Sequence, residues 1–236
     1  MAEAASSRRL VRRLLAQDDL AATLRELKAL PPEQVLKHLQ AALPASQPLI
    51  KWRAVTALGQ VVQGLAARDL EAARDFLRRL LWCLNEESGA VPWGVAEALG
   101  EILANSPQLA EEYANMLLSY IWPHGNFLEF GPLLAGAVWG VGRLASAQPE
   151  VALQRGAVER LLPLLAWPEA PVRGMAAWSL GHLGDRQCLV PLNDLVHDQA
   201  EVEIWEQENL RQATVGDLAS QAINNIKKRE VTPINL

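Results

Sequence analysis

The chain has 236 residues, half of them hydrophobic, with 22 Lys and Arg against 27 Asp and Glu and a net charge of −5. That apolar fraction excludes disorder, the two distant cysteines (Cys83 and Cys188) exclude a disulfide-stapled scaffold, and the negative charge offers no overall basic field to a phosphate backbone. Nucleic acid is therefore a poor default partner, and the thiols point to a reducing, cytoplasmic setting.

The N-terminal stretch MAEAASSRRLVRRLL is Arg-rich and amphipathic, which also fits an organelle-targeting segment. Arg12 and Arg13 interrupt any secretory apolar core, and Glu3, Asp18 and Asp19 depart from a transit-peptide pattern. Residues 7–29 are expected to form one or two helices, with 1–30 as an N-terminal helical cap.

From residue 31 onward five segments align without gaps: IKWRAVTALGQV from Ile50, VPWGVAEALGEI from Val91, LLAGAVWGVGRL from Leu133, VRGMAAWSLGHL from Val172 and VGDLASQAINNI from Val215. Their tenth positions are Gly59, Gly100, Gly142, Gly181 and Asn224, so the period is near forty, the helix-pair spacing of an α-solenoid. Apolar residues recur with helical period, as in Ala54, Leu58 and Val61 or Ala176, Leu180 and Leu183. Gly inside a helix costs about 1 kcal/mol relative to Ala, so the glycine column implies close helix packing.

First helices of each pair are expected over Pro32 to Leu43, Leu70 to Leu84, Gln108 to Ile121, Val151 to Ala166 and Gln187 to Val196. Pro32, Pro107, Pro149 and Pro171 lie near expected starts, and Asp69, Asp185 and Asn105 near expected ends. Gln199 to Ala213 is an acidic insert within the fifth repeat, where Trp205 either anchors the insert or contacts another protein. Residues 229–236 read as a tail. The longest uncharged apolar stretch, Pro132 to Gly142, falls short of the roughly 18 or more residues a membrane span requires.

The segment VRGMAAWSLGHLGD resembles the second helix of a HEAT repeat, of the short bacterial type also found in phycobilisome-lyase-like proteins. The alignment carries this resemblance over residues 31–228. It implies an all-α, armadillo-like α-solenoid, a right-handed superhelix of about five helix pairs whose second helices line the concave side. Repeat five departs most, because Asn224 replaces the glycine and the insert separates its helices.

On those second helices, three columns lie opposite the core stripe at about 100° per residue. They read Trp52, Thr56 and Gln60; Trp93, Glu97 and Glu101; Ala135, Trp139 and Arg143; Gly174, Trp178 and His182; and Asp217, Gln221 and Asn225. Four tryptophans are thus expected to face one groove, with Glu97, Glu101, Arg143 and His182 setting orientation and charge preference. Trp is enriched at binding hot spots, so the expected partner is a protein or peptide, basic or amphipathic in character. The bland alternative is that these rings only fill a tightly curved superhelix.

Two inter-helix loops bring Asn85, Glu86 and Glu87, and His124, Asn126 and Glu129, to what a solenoid would make a common edge. No short ligand motif accompanies them, so no metal or cofactor is expected. The chain also lacks a His-Glu dipeptide, a Gly-rich phosphate loop, a nucleophile elbow and an HExxH helix. The expected function is a non-catalytic binding scaffold. By resemblance alone, the alternatives are a HEAT-like DNA alkyl-base glycosylase using Glu97 between Trp93 and Trp139, or a bilin-lyase-like subunit.

Overall fold

The structure is a computed structural model that describes residues 2–86 and 91–231. The chain is all-α, of the helical-repeat solenoid class, with one two-stranded β-hairpin among the described residues. It divides into two compact units, residues 1–109 and 110–236.

In the first unit, α1 (Ala2–Leu15), α2 (Leu20–Ala29), α3 (Pro32–Gln40), α4 (Pro48–Ala66), α5 (Leu70–Asn85) and α6 (Val95–Asn105) follow in order. The second helices α4 and α6 pack side by side, with α3 and α5 as their first-helix partners. Asp19 and Asp69, whose carboxylates accept the Ala22 and Ala72 amides, cap the starts of α2 and α5. Asp69 therefore marks a helix start where the sequence suggested an end, as does Asp185, whose carboxylate accepts the Gln187 amide.

One buried cation ties α1 to the repeats. Arg53 of α4 is 7% exposed, and its guanidinium donates to the carbonyls of Leu15 (3.1 Å), Gln17 and Asp18 (3.1 Å) at the end of α1. Thr23 donates to the Leu14 carbonyl at 2.9 Å. A charged donor at a helix C-terminus satisfies carbonyls that the helix itself leaves unpaired and complements its dipole. Arg53→Met keeps an apolar stem and strands those carbonyls, so stability should fall by about 1.5–3 kcal/mol in urea unfolding. An unchanged midpoint would mean that water replaces the guanidinium without cost.

α7 (Pro107–Ser119) crosses the division between the units. The second unit continues with α8 (Gly131–Ala147), α9 (Pro149–Gln154), α10 (Ala157–Leu161), α11 (Ala170–Leu183), α12 (Leu189–Asn193), β1 (Glu201–Glu206), β2 (Asn209–Thr214) and α13 (Val215–Val231). Here α8, α11 and α13 are the second helices, with α11 packed between the other two. The single first helix expected over 151–166 is broken instead. Gly156 adopts φ 72°, a left-handed conformation that costs glycine little, and the chain restarts as α10 followed by a 3-10 turn at Leu162–Ala166. α13 runs to Val231, past the boundary expected at 228, and is opened by a reciprocal cap. The Thr214 amide donates to the Asp217 carboxylate and the Asp217 amide to the Thr214 hydroxyl.

The glycine column is a packing column. A Cβ on Gly59 would lie 2.8 Å from Glu101 Cγ, and one on Gly181 would lie 2.6 Å from the Ala222 Cα. One on Gly142 would overlap the Trp178 ring and the Ser179 hydroxyl. The last approach is close enough for Ser179 Oγ to donate to the Val138 carbonyl of the neighbouring helix at 3.0 Å.

Candidate functional site

In the second unit, the insert expected only as an acidic segment folds into the antiparallel hairpin β1–β2, with Val202 opposite Ala213 and Glu206 opposite Asn209. Val202, Ile204 and Trp205 are buried. The two-residue turn Gln207-Glu208 has φ of 50° and 62°, the positive values a tight hairpin turn requires.

The hairpin lies on the columns read from the sequence. Trp139 Nε1 donates to the Trp205 carbonyl at 2.9 Å, and Trp178 Nε1 donates to Glu206 Oε1 at 2.7 Å. Gln221 Nε2 reaches the same Glu206 oxygen at 3.0 Å, while Arg211 donates to Glu206 Oε2 and to Gln221 Oε1. The middle column of repeats three, four and five is thus spent on one strand of the chain itself. Burial opposes ionisation of Glu206, but the Trp178 indole, Arg211 and Gln221 together hold its carboxyl below the usual glutamate range.

The picture of Trp139 and Trp178 as open groove anchors is corrected accordingly. They are 1% and 3% exposed, stacked with ring planes 6° apart and centroids 6.3 Å apart, and the hairpin covers them. Trp205, left open between two roles by the sequence, is 4% exposed and anchors the insert. Sequence reasoning missed Glu206 and Arg211 as site residues. The alternation of Val202 and Ile204 with Glu201 and Glu203 was the signal that could have placed them.

His182 stands edge-on to Trp178, with centroids 4.7 Å apart, and its Nε2 is buried without a hydrogen-bond partner. Burial pushes its pKa down to about 4, helped by Arg143 and Arg229 and opposed by Glu206. The unfolded imidazole titrates near 6.5, so between those values the unfolded chain binds more protons than the folded one. This group's contribution to stability is therefore complete above about pH 6.5 and lost as pH falls toward 4. Urea midpoints of wild type and His182→Gln should diverge across that window, with the wild type falling faster; parallel curves would refute the assignment.

In the first unit the same columns are arranged differently. Trp93, expected on the second helix, lies instead in the turn before α6, where Gly94 at φ 74° opens the helix, and is 40% exposed; Trp52 is 8% exposed. The Lys51 ammonium lies 4.4 Å from the Trp52 ring centroid and 2.7 Å from Glu97 Oε1, so one cation holds both a π face and a carboxylate. Glu97 and Glu101 are 4% and 5% exposed. Asn105 donates to the Glu101 carboxylate at 3.0 Å and accepts from Gln60, which in turn accepts from Lys28.

The loop residues have local work. Asn85 donates to the Leu81 carbonyl at the end of α5, and Asn126 to the Ser119 hydroxyl. His124 packs edge-on to Trp122, and Glu129 is exposed. Glu86 follows α5 directly, while Glu87 lies outside the described residues. Among the described residues no three His, Cys, Asp or Glu side chains are placed to hold a metal ion. Both cysteines are free; Cys188 is buried, which pushes its thiol up to about 12, whereas Cys83 is half-buried. No described helix is long and apolar enough to cross a membrane.

No family model matches the chain. An uncharacterised protein of Archaeoglobus fulgidus is 36% identical over 73 residues, 31% of this chain, and the match spans only 37% of that relative's length. Two engineered proteins with crystal structures are similar in fold. One superposes over 94% of this chain and 97% of its own with a TM-score of 0.52, the other over 93% and 58% with 0.51, each at 18% identity. At that identity the likeness concerns fold alone.

Proposed function

We propose that the chain is a non-catalytic, HEAT-type scaffold that holds a protein or peptide segment on its second helices. In this reading residues 1–30 form a cap, 31–228 the repeats and 229–236 a tail, in a bacterial cytoplasmic protein. The observation that carries it is the hairpin: an extended strand lies on α8, α11 and α13, its backbone carbonyl and its carboxylate taken by indole N–H groups. Surfaces that bind extended segments combine hydrogen bonds to the segment's main chain with pockets for its alternate side chains.

In the first unit Trp93, in the turn just ahead of α6, offers an exposed anchor, and the chain's net charge of −5 favours a basic or amphipathic segment. Trp139 and Trp178 hold the internal segment, and His182 packs edge-on against Trp178. The enzyme alternatives draw less support, because Glu97 is ion-paired to Lys51 and Trp139 is engaged by Trp205.

The test is fluorescence anisotropy with a labelled decapeptide of alternating Lys and Leu. Trp93→Ala should weaken binding at least about tenfold, roughly 1.4 kcal/mol, with unchanged circular dichroism. No binding by wild type, or equal binding by the variant, would overturn the reading. Tight, salt-sensitive binding of duplex DNA would favour the glycosylase alternative.

A further inference from the structure

The first unit carries a cleft that peptide binding leaves unused. It lies among α1, α3 and the start of α4 and has a volume of about 320 Å³, within the range of small-molecule pockets, roughly 300–1,000 Å³. Its floor is apolar: Val11 and Leu15 are 2% and 0% exposed, and Ile50 lines the cleft with them. Its polar lining is cationic. Arg8 and Arg12 lie one turn apart on α1, both exposed, and among the described residues neither is paired with a carboxylate.

The third polar member is His38 of α3. Its Nε2 atom is buried and has no hydrogen-bond partner. Burial, Lys37 and Arg8 together lower its pKa, and the Nε2–H tautomer of the neutral ring is a hydrogen-bond donor. A buried polar atom without a partner is costly unless something supplies one. Two guanidinium forks and a ring donor around an apolar floor ask for an acceptor that is negatively charged and attached to a hydrocarbon body.

We propose that this cleft is a binding site for a small organic anion. The carboxylate or phosphate of the ligand sits on Arg8 and Arg12 and accepts from His38. Its aliphatic body lies against Val11, Leu15 and Ile50. The site is independent of the peptide reading, since none of its residues belongs to the second-helix columns.

The experiment is an NMR titration of the full chain with sodium octanoate, octanol and inorganic phosphate in parallel. Octanoate should give saturable shifts of the Ile50 amide and the His38 ring, with octanol and phosphate each at least about tenfold weaker. Arg8→Gln with Arg12→Gln should weaken octanoate at least about tenfold while leaving the thermal midpoint unchanged, because both side chains are exposed. Ala45→Leu, which fills the cleft from its wall, should abolish the shifts.

No saturation by about 10 mM octanoate overturns the proposal. So does octanol or phosphate binding as tightly as octanoate, and so does full affinity in the double arginine variant. Co-sedimentation with phosphatidylglycerol vesicles that is lost in the same variant would also overturn it, by making α1 a membrane-surface element.

Discussion

Trp178→Ala and Trp139→Ala should each destabilise the second unit by about 3–5 kcal/mol, the cost of deleting a large buried aromatic side chain. Both rings are almost wholly buried and stacked on each other. Such aromatic pairs add about 0.5–1.5 kcal/mol beyond the area they bury. Each indole also satisfies a partner in the hairpin: Trp139 the Trp205 carbonyl, Trp178 the Glu206 carboxylate. Trp139→Phe separates these contributions, because it keeps most of the apolar surface and removes only the donor. It should cost about 1–3 kcal/mol, the penalty for an acceptor left without its bond. The double alanine variant should lose less than the sum of the singles, since the rings touch. Urea unfolding followed by far-ultraviolet circular dichroism measures all four variants. Losses under about 1 kcal/mol for the single alanine variants would mean that the rings are accessible anchors after all.

Gly181→Ala should be destabilising by about 1–3 kcal/mol although alanine is the better helix former. The added methyl would sit 2.6 Å from the Ala222 Cα, and backbone cannot step aside as a flexible side chain does. Gly142→Ala should behave alike, since its methyl would overlap Trp178 and Ser179. The control is Gly64, where a Cβ meets nothing within 4 Å. Gly64→Ala should be stabilising by about 0.5–1 kcal/mol, the plain propensity gain. The opposite signs form the test: a gain at Gly181 would mean that α11 and α13 do not approach as closely as the glycine column implies.

The second helices were legible in the sequence because helix period and repeat period agree. Ala54, Leu58 and Val61, and their counterparts Ala176, Leu180 and Leu183, are buried, and the columns opposite them were drawn correctly enough to place Trp139, Trp178 and Gln221 in one row. What covers that row was not legible. Gln207-Glu208 lacks the Asn-Gly or Asp-Gly signature of a tight hairpin turn, so β1 and β2 carried only their alternation. Exposure was misjudged for the same reason: a column facing away from its own core is open only if nothing returns to lie on it. Gly156 hid its break within an apolar run whose periodicity continued on both sides.

The bond from Trp139 to Trp205 also changes how this stack comes apart. In an array of helix pairs each repeat ordinarily answers only to its immediate neighbours, and the ends fray one unit at a time. Here the third repeat is fastened directly to a strand inserted in the fifth, across 66 residues, so the fourth is held between clasped partners. The final three repeats should therefore release their amide protons to deuterium together, as one cooperative block, and a shortened chain ending before the insert should not behave as the same protein with one repeat fewer.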